Sequence, residues 1–297
     1  MTRIIVSLLG LCVIFACLNR NTFAAEAEVF NLRDFGAVGD GVTDDGPAFQ
    51  SALDALALAG GGTLFIPEGK YVIATPVFKN FTGLASSITI KGVESLTPVA
   101  PPNSIGFVLA GGLDLLSEVY PRTGQTQIAI SIVGLRSLVI KDIAFVGTPS
   151  AINDTAITVF LSDIEKAQIK HSEFYGLATM VDGGAIVKSL RSDLEIVQSK
   201  FLGSTANSGV YAPVVENIEW RGLTISDTTF LDYGNRPGFY SKTGLAAPIS
   251  WINIGNAAQP TNHSPRREVV LRNVFLDEGG YGVYRAFLTV TRRQARR

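Results

Sequence analysis

The chain has 297 residues and a formal net charge of −1, from 25 Lys and Arg against 26 Asp and Glu. This near balance excludes a general polyanion binder such as a nucleic-acid protein, so an acidic polymer would have to be met by local Arg and Lys side chains. The length suits one large domain or two ordinary ones, and no linker-like stretch interrupts residues 40–285.

Residues 1–25 have the pattern of a secretory signal peptide. A charged start precedes an apolar run at 4–16, and small residues end the segment at Ala24 and Ala25. The run is too short to predict a membrane span. We therefore predict a secreted or periplasmic protein without stable membrane insertion.

The only two cysteines, Cys12 and Cys17, lie within this segment. Cleavage would leave a chain without disulfides, which a large hydrophobic core does not need. Anchoring as a lipoprotein through Cys17 is a minor alternative.

Residues 30–71 predict a capping module. A short strand leads into glycine-rich turns at 36–41, and Thr43, Asp44 and Asp45 offer N-caps for a helix that ends near Ala59. Apolar residues recur at helical spacing within that helix, which predicts one buried face. A second strand follows the three glycines that stop the helix.

From residue 138 onward a pattern recurs, with an apolar residue, Ile, a polar residue and Phe at fixed spacing. Self-similarity at this period indicates stacked coils that each bury an apolar face on the next. The phenylalanines, at one phase, are predicted to stack inside the coil as core. A looser copy follows at residues 269–276. The polar members of the four regular copies are spaced by 29, 27 and 29 residues: Asp142, His171, Gln198 and Asp227.

Together these motifs resemble the pectate-lyase-like superfamily, including its rhamnogalacturonase and epimerase-like members. The resemblance implies an all-β fold, a single-stranded right-handed parallel β-helix with an N-terminal capping helix, over residues 26–290. Residues 291–297 form an Arg-rich tail. The matching runs are Asp34-Phe35-Gly36-Ala37, Gly39-Asp40-Gly41, Thr43-Asp44-Asp45 and residues 60–71.

His171 is a tempting acid or base catalyst because Glu173 lies two residues away. It occupies the phase that short polar residues occupy in the other coils, however. We therefore predict a structural role for His171 in a polar turn ladder.

The resemblance places the substrate groove along one outward sheet face and its loops, so the site candidates are polar residues off that phase. The interval from Asp227 to Asn273 is 46 residues, and a long loop on a rigid coil suits a binding wall. Candidate catalytic residues are Asp182, Lys188, Arg191 and Asp232. Candidate substrate-binding residues are Tyr211, Arg221, Tyr233 and Trp251.

Two chemistries remain open at this stage. A hydrolase needs two carboxyl groups about 5 to 10 Å apart, for which Asp182 could pair with Asp154, Asp163 or Asp232. A lyase needs a cation for a uronate carboxylate and a base for the adjacent proton. Lys188 or Arg191 could be the cation, with Tyr211 or His263 as base.

The resemblance implies an exported enzyme that cleaves a polysaccharide containing uronates, without a cofactor unless a lyase uses calcium. The alternatives are a non-catalytic binding or structural β-helix, or a shortened inactive remnant. The motifs of polygalacturonases and the Asp-Pro-His-Glu of alginate epimerases are absent, which disfavours those subfamilies. The repeat also lapses without a clear cap after Tyr284, so we expect a shortened product or an end covered by another subunit.

Overall fold

The computed structural model describes residues 28–94, 115–147, 155–175, 177–179, 184–202, 205–206, 214–219, 221–231, 252–254 and 269–276. The predicted signal peptide and the Arg-rich tail lie outside these residues. No helix in the described ranges has the length and apolar character needed to cross a membrane.

The described chain consists of short strands and one α-helix. The helix is α1 (Gly46–Leu58), which follows a 3₁₀ turn at Leu32–Phe35. The strands, in chain order, are β1 (Val29–Asn31), β2 (Asp40–Asp44), β3 (Gly62–Phe65), β4 (Gly69–Ile73), β5 (Val77–Asn80), β6 (Ser87–Lys91), β7 (Ser117–Pro121), β8 (Gly124–Val133), β9 (Ser137–Lys141), β10 (Ala144–Val146), β11 (Thr155–Ser162), β12 (Lys166–Lys170), β13 (Glu173–Tyr175), β14 (Ala178–Thr179), β15 (Ala185–Leu190), β16 (Asp193–Val197), β17 (Lys200–Leu202), β18 (Thr205–Ala206), β19 (Val215–Ile218), β20 (Gly222–Ser226), β21 (Thr229–Leu231), β22 (Ile252–Ile254), β23 (Val269–Arg272) and β24 (Phe275–Leu276).

The strands form three long parallel sheets that the chain visits in turn. Sheet A has the order β1-β3-β6-β9-β12-β16-β20-β23, sheet B β2-β4-β7-β10-β13-β17-β21-β24, and sheet C β22-β19-β15-β11-β8-β5. One coil, such as β9, β10 and β11, contributes one strand to each sheet. The predicted all-β parallel β-helix is confirmed.

The predicted phenylalanine phase forms a continuous stack inside the coil. Phe145, Phe174, Phe201 and Phe230 are paired in register along sheet B, and Leu276 takes the next place. Successive rings are nearly parallel, with centroids 4.6 to 4.8 Å apart. The spacing equals the distance between neighbouring strands, so the fold itself sets the stacking geometry.

The capping helix closes the N-terminal end of this core. Its apolar face, including Phe49, Leu53 and Leu56, is fully buried and joins the central hydrophobic cluster. The predicted helix with one buried face is confirmed, although the capping details differ.

Asp44 rather than Asp45 meets the helix start, because its Oδ1 accepts the Gly46 amide at 3.0 Å. The buried Asp45 carboxylate instead accepts from the amides of Val38 at 2.7 Å and Gly39 at 3.3 Å. It therefore ties the preceding loop to the helix. Gly46 is required here, since a Cβ would lie 2.4 Å from the Thr75 carbonyl oxygen.

The turn from sheet A to sheet B carries the predicted polar ladder. Asp142, His171, Gln198, Asp227 and Asn273 all have left-handed backbone, with φ between 44° and 58°. Asparagine and aspartate adopt this conformation at low cost among residues with a side chain. The predicted turn-ladder position of His171 is confirmed.

We expect Phe174→Ala to destabilise the fold by about 3 to 5 kcal/mol, because it opens a cavity between two stacked rings. Phe78→Ala is the matched control, since the Phe78 side chain is 57% exposed. Urea unfolding of both variants measures the difference. Equal losses of unfolding free energy would contradict the stacked core.

Candidate functional site

Of the predicted site residues, Lys188, Arg191 and Arg221 lie within the described part of the chain. All three lie on sheet C or near its turn into sheet A. The remaining candidates fall outside the described residues and stay predictions: Asp182, Asp232, Tyr211, Tyr233 and Trp251, with Asp154 and His263.

Lys188 lies on the outer face of sheet C. It alternates along β15 with Val187, which belongs to the buried core, so its side chain points away from the coil interior. Its strand neighbour is Glu216 on β19. The Lys188 ammonium lies 2.7 Å from the Glu216 carboxylate, and the two side chains are only 17% and 6% exposed.

The strand that carries Lys188 has a neighbour in the connections between sheets B and C. Two of these connections form a small two-stranded parallel sheet, β14 with β18, and β14 lies against β11 and β15. Removing two charges from water is costly, and such a pair is weak evidence for stability. A nearly buried ion pair on an outward sheet face is therefore a candidate for function.

The pair continues a row of outward side chains that runs parallel to the helix axis. Phe78, Ser131, Phe160, Lys188 and Glu216 occupy the same register position on five successive strands of sheet C. We call these five residues the outer row of sheet C. It presents, in order, an aromatic ring, a hydroxyl, a second ring, a cation and a carboxylate.

Arg191 has different surroundings from Lys188, although Lys188 lies in β15 and Arg191 follows directly after that strand. It lies in the turn from sheet C to sheet A and has left-handed backbone with φ 49°. Asp163 and Glu219 occupy the corresponding turns of the neighbouring coils and also have left-handed backbone. Its Nε and Nη2 atoms each donate to Asp163 at 2.7 Å. Its Nη1 atom lies 3.4 Å from Glu219, so two carboxylates balance its charge.

These residues form a second turn ladder that the sequence analysis missed. Asp163, Arg191 and Glu219 are spaced by 28 residues, close to the period of the first ladder. That spacing was the available signal, but the residue types vary too much to suggest it. The ion pairs of Arg191 give it a structural role in the turn, and its catalytic role stays a prediction.

The same turns border an open cleft of about 660 Å³. Its charges are mixed, and Arg136 lies 3.8 Å from Glu165. The Arg191 guanidinium, with help from Ser162 and Arg221, holds the pKa of Asp163 below its usual range. A carboxyl kept ionised in this way cannot serve as a general acid. The lining residues are Gly60, Thr82, Gly83, Leu84, Ala85, Ser86, Gly134, Leu135, Arg136, Asp163, Glu165 and Arg221.

Comparison with known proteins gives the family of the N-terminal module. Residues 29–100 match the family model of the pectate-lyase-like rhamnogalacturonase A and epimerase domain. The resemblance to the pectate-lyase-like superfamily is confirmed over these residues. The matched range includes the capping helix and the first strands of all three sheets.

Curated relatives share short stretches with this chain. Mannuronan C5-epimerase AlgE3 of Azotobacter vinelandii is 57% identical over 49 residues, which are 16% of this chain and 3% of that protein. Alginate lyase 7 of the same organism is 53% identical over 45 residues, 15% of this chain and 5% of that protein. The matched stretch is thus homologous to epimerases, although their Asp-Pro-His-Glu motif is absent here.

The chain is also similar to a surface protein. Plasmin and fibronectin-binding protein A of Streptococcus pneumoniae is 46% identical over 54 residues, 18% of this chain and 8% of that protein. A solved structure of the adhesin PfbA from this bacterium aligns over 87% of this chain and 66% of its own, with 16% identity and a TM-score of 0.39.

We expect the stabilising effect of Asp163 to depend on pH. Its pKa is lower in the folded chain, so the stabilisation is complete above the unfolded pKa and is lost as pH falls through the folded pKa. At neutral pH, Asp163→Asn should cost about 1 kcal/mol, because the pair is partly in solvent.

Urea unfolding of the Asp163→Asn variant and the natural chain at several pH values tests this. The difference should shrink towards zero as pH falls below the ordinary aspartate pKa of about 4. Asp34→Asn, at an exposed position, is the control and should show no such trend. A difference that persists at the lowest pH would contradict the role of the Asp163 carboxylate.

Proposed function

We propose that the chain is an exported enzyme that cleaves a uronate-containing polysaccharide lying along the outer row of sheet C. The observation that carries this proposal is the Lys188–Glu216 ion pair, nearly buried on an outward sheet face. Such a pair suits recognition of an anionic sugar, since an ammonium has three N–H donors and can donate to a second carboxylate as well as to Glu216.

The position of the aromatic residues supports a polymer parallel to the helix axis. Phe78 and Phe160 lie two strands apart in the row, a separation of roughly 10 Å at the usual strand spacing. Phe78 is 57% exposed, so its ring is available to a sugar ring. One extended sugar chain could contact both rings and, further along the row, place a carboxylate beside Lys188.

Elimination suits this arrangement better than hydrolysis. A uronate carboxylate next to Lys188 would be neutralised, which lowers the pKa of the proton on the adjacent carbon and favours its removal by a base. Glu216 would act as a positioning residue that holds the Lys188 ammonium in the outer row. Within the described residues the outer row has one carboxylate, whereas hydrolysis needs two.

The relatives agree with this chemistry in part. Mannuronan and alginate, which appear in the names of two of them, are uronate polymers. The base remains a proposal between Tyr211 and His263. Calcium could supplement the cationic charge of Lys188, so the assay below is run with calcium and with a chelator.

The test is activity on a panel of acidic and neutral polysaccharides, with reducing ends and the ultraviolet absorbance of unsaturated products measured together. Both signals should appear on a uronate polymer. Lys188→Met should lower kcat about 10²-fold or more, as loss of a charge-stabilising group does. Glu195→Gln, which breaks the more exposed Lys166–Glu195 pair on sheet A, should leave activity unchanged.

Lys188→Met leaves Glu216 without its lysine and could unfold the chain, so a second variant is needed. The double variant Lys188→Met with Glu216→Leu replaces the pair by apolar groups, which proteins tolerate well. It should fold and remain inactive. A folded double variant with full activity would overturn the proposal, and reducing ends without ultraviolet absorbance would indicate hydrolysis.

Binding without catalysis is the second candidate, favoured by the exposed Phe78 ring and by the similarity to a fibronectin-binding surface protein. In that case the natural chain should yield no product yet be retained on one of the same polymers. Phe78→Ala should then weaken the retention.

A further inference from the structure

Three ligating side chains meet at the turn from sheet A to sheet B, away from the outer row of sheet C. The Nδ1 atom of His171 lies 3.1 Å from Oδ1 of Asp142, and its Nε2 atom lies 3.6 Å from Oε1 of Glu94. One ligand atom from each residue lies within 4.8 Å of the others. Both ring nitrogens of one imidazole therefore face carboxylate oxygens.

This arrangement leaves a place for a cation between the ring and Glu94. A neutral imidazole carries one N–H, so only one of its nitrogens can donate to a carboxylate while the other presents a lone pair. Two lone-pair atoms facing each other repel. A second proton on the ring, or a cation bound between Nε2 and Glu94, removes the repulsion.

Asp142 is placed to orient the ring for the second option. Its Oδ2 atom lies 3.6 Å from the Lys141 ammonium, while its Oδ1 atom accepts from Nδ1. Asp142 thus fixes the tautomer that leaves the Nε2 lone pair towards Glu94, the usual support for a metal-binding histidine.

The turn ladder itself does not need this set of groups. Three coils further on, Asn273 Nδ2 donates to Asp227 Oδ1 at 2.9 Å, which satisfies the same ladder position with a neutral amide. A histidine with carboxylates on both nitrogens exceeds that structural requirement. Its neighbour Glu94 has a side chain that is 53% exposed, so solvent reaches the group.

We propose that His171 and Glu94 bind a divalent transition metal of the zinc class, with Asp142 as the positioning residue. Imidazole nitrogen and carboxylate oxygen are both zinc ligands, with bonds of about 2.0 to 2.2 Å. Ligand atoms in a tetrahedral site then lie roughly 3.3 Å apart, so the observed 3.6 Å needs little movement. Water or further residues would complete the coordination. This proposal is independent of the proposed function.

The experiment is titration of the purified chain with Zn²⁺ by calorimetry, with melting temperature as a second readout. One equivalent should bind and raise the melting temperature. His171→Asn and Glu94→Gln should each weaken binding at least tenfold. His171→Asn keeps a side chain that suits the left-handed turn, as Asn273 does, so the variant should fold.

His263→Asn, which removes the other histidine in the chain, is the matched control and should bind Zn²⁺ like the natural protein. Asp142→Asn should weaken binding by about 10-fold to 100-fold while leaving the stoichiometry unchanged. Absence of binding, or equal affinity in the natural chain, His171→Asn and Glu94→Gln, would overturn the proposal.

Discussion

Each coil must change direction within one or two residues where sheet A meets sheet B and where sheet C meets sheet A, and left-handed backbone at one residue per turn makes this possible. Asp142 and Asp163 represent the two positions. At some of these turns the next residue is a buried Ser or Thr, such as Ser172, Ser192, Ser199 or Thr228, whose hydroxyl donates to the carbonyl two residues earlier. The hydroxyls of Ser192, Ser199 and Thr228 also accept from a backbone amide of the preceding coil. The turns thereby fix the register on which every stacked row depends.

That register has the same effect on core and surface. It stacks Phe145 to Phe230 inside sheet B at the strand spacing, and it places residues far apart in sequence side by side on the outer face. Lys188 meets Glu216 in this way, and Arg191 meets Asp163. The two ion pairs differ in exposure: the Lys188 and Glu216 side chains are 17% and 6% exposed, whereas those of Arg191 and Asp163 are 41% and 37% exposed.

The two proposed sites use this repetition differently. The outer row of sheet C presents different side chains at one register position, which suits an extended polymer whose units repeat along the axis. The His171 group arises where one ladder member is replaced by a residue with two ring nitrogens, each facing a carboxylate. In both cases function would come from departures from the repeat. In a uniform ladder, the polar side chains only form hydrogen bonds that stabilise the turns.

The sequence by itself determined the parallel β-helix, the capping helix, the phenylalanine stack and the ladder position of His171, because a fixed period and turn-forming residues are local signals. Tertiary structure decided the partners. Glu216 follows Lys188 at the repeat spacing, but that spacing does not show that the two side chains meet, nearly buried, on the outer face of sheet C. Glu94 beside His171 depends on connections whose lengths vary, so no repeat spacing reveals it. Arg191 shows the limit: its charge predicted a site, whereas the fold places it in a turn between Asp163 and Glu219.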